Sequence, residues 1–251
     1  MTVPPPSTPI TPPPAAPPVA PPALECASQF PRGRVVSSAP AAFLCKVGYA
    51  VLHSPTRKTP LVVAERLEPQ NFDNSASRTN DFRPDPDLIA GERSELEDYR
   101  LSGFDRGHMA PSADFTSSTA RVSESFLLSN IVPQNPTLNG GWWASLESAT
   151  RACARSEGAV FVMSGPVFTN PTQTIGAGRV AVPSSLFKII VSSSGASRAY
   201  LIANAVPTIK GFKAYQVPIS SIEAATGLEF FPEGGVLEDN LGTLCSGAFG
   251  G

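Results

Sequence analysis

The chain has 251 residues, a formal charge of −2 and no apolar run approaching the roughly 18 residues of a membrane-spanning helix. The slightly acidic balance excludes a large basic surface, the usual source of tight nucleic-acid binding, but leaves room for a local cationic groove. Setting aside an unusual N-terminus leaves about 225 residues, enough for one large domain with a sizeable core.

That N-terminus comes first. Residues 1–24 carry Pro4, Pro5, Pro6, Pro9, Pro12, Pro13, Pro14, Pro17, Pro18, Pro21 and Pro22 among small residues. Proline lacks an amide hydrogen and fixes φ, so the stretch is expected to be a solvated, extended tail. A linker is the favoured reading and a proline-rich docking element the alternative. It has neither the basic start nor the long apolar centre of an intact secretory signal. Residues 25–251 are expected to form a single domain.

Residues 46–53 and 60–67 read as a hairpin, with Val47, Tyr49, Val51, Val62 and Val63 as β-formers and the polar stretch 54–59 as its turn. His53 has no polar constellation around it and reads as structural or exposed. Residues 68–99 are polar and aperiodic, a long irregular excursion of the kind that tends to be functional. Residues 125–134 read as a short apolar strand or turn ending near Pro133. Residues 139–155 predict a helix. Trp142, Leu146, Ala149 and Cys153 recur at spacings of 4, 3 and 4 to give one buried stripe, Asn139 stands at the N-cap position, and Gly158 follows the last turn. Residues 159–163, 186–192 and 199–204 read as buried strands, and residues 219–226 as a short helix ended by Gly227. A largely antiparallel sheet with a few helices makes the class α+β.

Four cysteines, Cys26, Cys45, Cys153 and Cys245, contain no C-x-x-C pair, which argues against structural zinc, and they permit three pairings. A Cys26–Cys45 pair would staple the start of the domain and a Cys153–Cys245 pair its end. Two such disulfides and an extracytoplasmic home, periplasmic or secreted with its signal absent from this chain, are favoured over buried free thiols in the cytoplasm.

The chemistry concentrates in Asp105-Arg106-Gly107-His108-Met109-Ala110-Pro111-Ser112-Ala113-Asp114-Phe115 and in the asparagines and glutamate downstream. A neutral histidine can take a proton from water, an amide oxygen and a carboxylate can hold a hard divalent cation, and an arginine can neutralise charge building on a phosphate. Together these are the parts of metal-assisted phosphodiester cleavage. His108 is the candidate base, with Gly107 allowing close approach or an unusual backbone angle. Asn139 is either a helix cap or a metal ligand through its carbonyl oxygen. Glu147, two turns on, would orient water at that metal or pair with Arg151. Arg106, Arg78 and Arg151 are candidate phosphate contacts. Asn130 would orient the site or, the favoured role, satisfy a loop backbone.

Three ordered motifs, Asp105 to Pro111, Leu128-Ser129-Asn130-Ile131-Val132-Pro133-Gln134, and Leu138-Asn139 through Leu146-Glu147, resemble those of the DNA/RNA non-specific endonucleases. The likeness runs from about residue 48 to 232 and includes Tyr99-Arg100-Leu101-Ser102-Gly103-Phe104. It implies a largely antiparallel central sheet flanked by helices, with a ββα-metal active-site motif in a single nuclease domain. It also implies His108 as general base, Asn139 as the direct ligand of Mg2+ (Mn2+ as possible substitute), and Glu147 acting on the metal through water. Arg106 and Arg78 are implied at the phosphate and transition state, and Asn130, Arg151 and Asp105 in support. The implied activity is hydrolysis of DNA and RNA, read through the phosphate backbone, to 5′-phosphate ends. Two alternatives are an antibacterial nuclease toxin with an immunity protein as inhibitor, and a non-catalytic nucleic-acid-binding module.

Overall fold

Antiparallel pairing dominates the computed structural model, which describes residues 26–169, 173–235 and 244–250; the proline-rich stretch lies outside them. In chain order the main strands are β1 (Ala42–Cys45), β2 (Ala50–Ser54), β3 (Thr59–Leu67), β4 (Asp105–His108), β5 (Ile131–Gln134), β6 (Val160–Val167), β7 (Ser185–Ser192) and β8 (Ser197–Ala203). Six of them form one sheet in the order β8-β7-β6-β3-β2-β1, while β4 and β5 pair apart from it. This is the expected α+β class.

Side chains alternate across a strand, so each face of the sheet collects its own core. Val51, Val63, Val162 and Ile190 face one cluster, completed by Leu146, Ala149 and Cys153 of helix α1 (Ala144–Glu157). Ala50, Val62, Ala64, Met163 and Ile189 face the other, completed by Ile219 and Ile222 of helix α2 (Ile219–Thr226). Gly227, at φ 70°, ends α2 as expected.

Two expectations are corrected by local packing. The strand expected over 46–53 is split, because the chain turns where Lys46 N donates to Tyr49 O (2.9 Å). Gly48 permits that turn, since a Cβ there would lie 2.6 Å from the Phe115 ring. The helix expected from Asn139 begins earlier. Asn135 is the true cap, its Oδ1 accepting from Leu138 N (3.1 Å), with Pro136 in the first turn. Asn139–Trp143 then winds as a π turn before α1. The wider turn shifts the helix phase, so Trp143 heads the buried stripe in place of Trp142. Trp142 is only partly buried and packs against Phe212 and Tyr215. Gly158, at φ 80°, closes α1.

Both disulfides form in the expected pairing, Cys26–Cys45 and Cys153–Cys245, which removes the free-thiol alternative. The second ties the C-terminal segment to α1, the helix that carries part of the candidate site.

Candidate active site

The β4–β5 hairpin sets His108 opposite Ile131 and Asp105 opposite Gln134. Gly107 is required by close approach: a Cβ there would meet Gln134 Oε1 at 2.0 Å. Asn130 clamps the chain just beyond His108. Its Oδ1 accepts from Ala110 N (2.9 Å), and its Nδ2 donates to the carbonyls of Ala110 and Ser125 (2.8 Å each). This is the backbone role favoured for it, and it holds both strands of the hairpin in register.

His108 is buried between two aromatic rings, Phe126 at 4.9 Å and edge-on, Phe82 at 5.3 Å and tilted. Each ring carries an arginine. The Arg106 guanidinium lies 4.2 Å from the Phe82 centroid and that of Arg78 4.8 Å from Phe126. Burial first, then Arg78 and Arg106, lowers the imidazole pKa to about 3. The ring is therefore neutral at ordinary pH, and its buried Nε2 has no hydrogen-bond partner. Arg78 is anchored by Nη1 donating to Ser112 Oγ and Nε to Asn80 Oδ1, both 2.7 Å. His53, the other histidine, is a buried structural residue with Nε2 2.9 Å from Glu92 O.

Asn139, relieved of capping by Asn135, donates from Nδ2 to Asp105 Oδ2 (2.9 Å). An ionised carboxylate only accepts, so the amide nitrogen must face it and the amide oxygen is left over. No donor among the described residues engages that oxygen.

Below this lies a charged layer on the same face of the sheet. Arg151 does not pair with Glu147. Its Nη1 reaches Asp114 Oδ1 at 2.6 Å, and its Nη2 donates to Ser148 Oγ at 3.0 Å. The buried Lys188 donates to Ser164 Oγ (2.6 Å) and sits 5.0 Å from the Trp143 ring centroid. Glu65 shares a hydrogen bond with Asp114; burial, then Asp114, pushes its carboxyl well up, so it holds a proton. Burial also lifts Glu147 to about 7, against the pull of Lys188, Arg151 and Arg78.

Three sets are thus assembled: His108 with Arg106 and Arg78, Asp105 with Asn139, and Glu147 over Arg151, Asp114, Lys188 and Glu65. Arg78 connects the first and third, since its charge acts on both His108 and Glu147. The short helix Ser112–Asp114 connects them physically, anchoring Arg78 through Ser112 and Arg151 through Asp114. Phe82, Phe126, Glu65 and Lys188 are not among the expected site residues, and Asp114 belongs to the run after His108 without a role assigned to it. For Glu65 and Lys188 a signal existed: Glu65 alternates with Val63 and Leu67, and Lys188 with Leu186 and Ile190, placing a charge on a core-facing position.

The donor set fits a hard cation. Among the described residues no three His, Cys, Asp or Glu side chains gather into a metal cage. Mg2+ needs none, because it keeps several waters and takes few protein oxygens. The unengaged amide oxygen of Asn139 is a donor of that kind, and Glu147 lies two turns further along the same helical run.

The model of the DNA/RNA non-specific endonuclease family matches residues 31–235. Mitochondrial endonuclease G of Homo sapiens is 36% identical over 200 residues, covering 73% of this chain and 67% of the relative. Mitochondrial nuclease EXOG of Danio rerio is 36% identical over 216 residues, covering 79% of this chain and 62% of the relative. A solved complex of EndoG with EndoGI, described as revealing the mechanism of EndoG inhibition, superposes with a TM-score of 0.72 at 28% identity, covering 78% of this chain and 87% of that one. These relatives correct one expectation. Both named nucleases are mitochondrial, which overturns the periplasmic or secreted assignment. The disulfides record that thiols are paired and do not say in which compartment that happened.

Proposed function

The chain belongs to the DNA/RNA non-specific endonuclease family, and from that premise we propose that it is a Mg2+-dependent nuclease with His108 as general base. The observation that carries this reading is a neutral imidazole whose buried Nε2 has no hydrogen-bond partner, flanked by two arginines packed on aromatic rings, on the strand that also holds the Asn139 amide.

Arg106 and Arg78 receive the phosphate and oppose the charge that builds on its oxygens. Bound phosphate cancels the arginine charge felt by His108, so its basicity rises when substrate arrives. His108 then takes a proton from water as the water oxygen attacks phosphorus. The bond from phosphorus to the 3′ oxygen breaks, that oxygen gains a proton from solvent, and His108 releases its own. The products carry 5′-phosphate and 3′-hydroxyl ends. Asp105 holds the Asn139 amide by its nitrogen, so the amide oxygen would be free to hold the cation, and Glu147 would orient water beside it. Mg2+, or Mn2+ in its place, supplies Lewis-acid stabilisation of the phosphate charge when bound. None of these groups addresses a base edge, so both DNA and RNA are substrates, read by their backbone.

Supercoiled plasmid and single-stranded RNA incubated with the full chain test this directly. Cutting of both in Mg2+ and of neither in EDTA is expected; metal-independent cutting, or none, overturns it. A protein inhibitor is a proposed partner, favoured by the fold shared with the inhibited EndoG.

A further inference from the structure

Asn204, the residue after β8, links the edge of the six-stranded sheet to both elements that carry the Asp105–Asn139 pair. Its side chain makes three hydrogen bonds, all to backbone. Oδ1 accepts from Asn135 N (2.8 Å), and Nδ2 donates to Pro133 O and Pro183 O (3.0 Å each). A backbone N–H needs an acceptor and a carbonyl needs a donor, so the amide fits one way round and a carboxylate cannot replace it. The Asn204 N–H donates to Ser184 O (2.9 Å), next to the paired Ser185 and Ala203, which fixes where this side chain starts.

Two of its partners stand on opposite sides of the Asp105–Asn139 bond. Asn135 caps the helical run, and its carbonyl accepts from Asn139 N (2.9 Å), so the position of Asn135 sets that of Asn139. Pro133 lies opposite Arg106, and the next residue, Gln134, opposite Asp105. A helix start leaves its first N–H groups without partners inside the helix. A Glu or Gln at the third helical position can reach back to the N–H of the cap, but Leu138 occupies that position and cannot. Asn204 supplies the acceptor instead, from 69 residues further along the chain.

We propose that Asn204 is a positioning residue for the cation site: its one amide sets the helix that carries Asn139 against the hairpin that carries Asp105. The proposal rests on the reading of Asn139 as the metal ligand and extends it to what holds that ligand in place. Asn204 acts through Asn135 and Pro133, and its loss lets the two halves of the site drift apart.

The test compares full-length wild type, Asn204→Ala and Asn204→Asp. The aspartate keeps the shape and the acceptor but loses both donors. Mn2+ binding is followed without nucleic acid, through loss of the free-ion EPR signal, and the Mg2+ dependence of plasmid cutting is measured alongside. In both variants the Mn2+ Kd and the Mg2+ concentration for half-maximal cutting should rise about 10- to 100-fold, as when a group that orients a ligand is removed, with cutting recovering at saturating Mg2+. Ile222→Ala, in the core on the other face of the sheet, is the control. It should lower the melting temperature and leave both metal readouts at their wild-type values. Wild-type Mn2+ affinity in a folded Asn204→Ala or Asn204→Asp protein overturns the positioning role and leaves the ligand reading intact. Equal weakening in Ile222→Ala assigns the effect to stability and also overturns it. Wild type that binds Mn2+ no better than Asn139→Ala overturns the ligand reading, and the positioning role with it.

Discussion

Asn139 Nδ2 lies 2.9 Å from Asp105 Oδ2, so the helix that starts at Asn135 and the strand that ends at His108 are joined by a single amide–carboxylate bond. The bond fixes which way the amide points, and with it the side-chain atom of Asn139 that a cation can use. Asp105→Ala should therefore act through metal affinity. The Mg2+ concentration for half-maximal cutting should rise about 10- to 100-fold, as for other residues that orient a ligand, with activity recovering at high Mg2+. An unchanged Mg2+ titration would remove Asp105 from that role.

The buried imidazole makes stability depend on pH. His108 titrates near 6.5 when unfolded and near 3 when folded, so only the unfolded chain takes up its proton between those values. Its contribution is complete above pH 6.5 and is lost as pH falls towards 3. The protonated carboxyl of Glu65 acts in the opposite sense, so the comparison must be between variants. Denaturant unfolding of wild type and His108→Asn at pH 7.5 and pH 4 should show wild type losing more, by on the order of 3 kcal/mol. Equal losses would mean that the ring is not held neutral.

Lys188 is the buried cation facing Glu65, Asp114 and Glu147. Lys188→Met keeps the volume but leaves these carboxyls without it. Removing one partner of a buried charge network costs about 3–5 kcal/mol, and the melting temperature should fall by on the order of 10 °C. A melting temperature within a degree or two of wild type would show that Lys188 does not hold the layer together.

Much of this was legible in the chain. The Asp105–Pro111 run put His108 and Arg106 on one segment, the β-formers Val47, Tyr49, Val51, Val62 and Val63 implied a hairpin, and Cys26 with Cys45 was one favoured pairing among three. Asn139 was read as equally suited to capping. What resolved it was Asn135, four residues earlier, whose Asn-Pro pair is a stronger cap signal and frees Asn139 for Asp105. The π turn was not legible, because periodicity counts residues at a fixed angle and one wide turn shifts every later position; hence Trp143 took the place expected for Trp142. Arg151 faced the same difficulty. Local spacing paired it with Glu147, whereas the fold brought Asp114, 37 residues away, to 2.6 Å. The rings around His108 come from Phe82 and Phe126, distant in sequence, and only tertiary structure unites them.

In the proposed mechanism His108 removes the proton from the attacking water. The most direct measurement is the single-turnover rate of plasmid cleavage by purified wild type and His108→Ala at saturating Mg2+, with melting temperatures confirming that both are folded. The rate should fall by about two to four orders of magnitude. A folded His108→Ala protein that cuts as fast as wild type would remove His108 as the base.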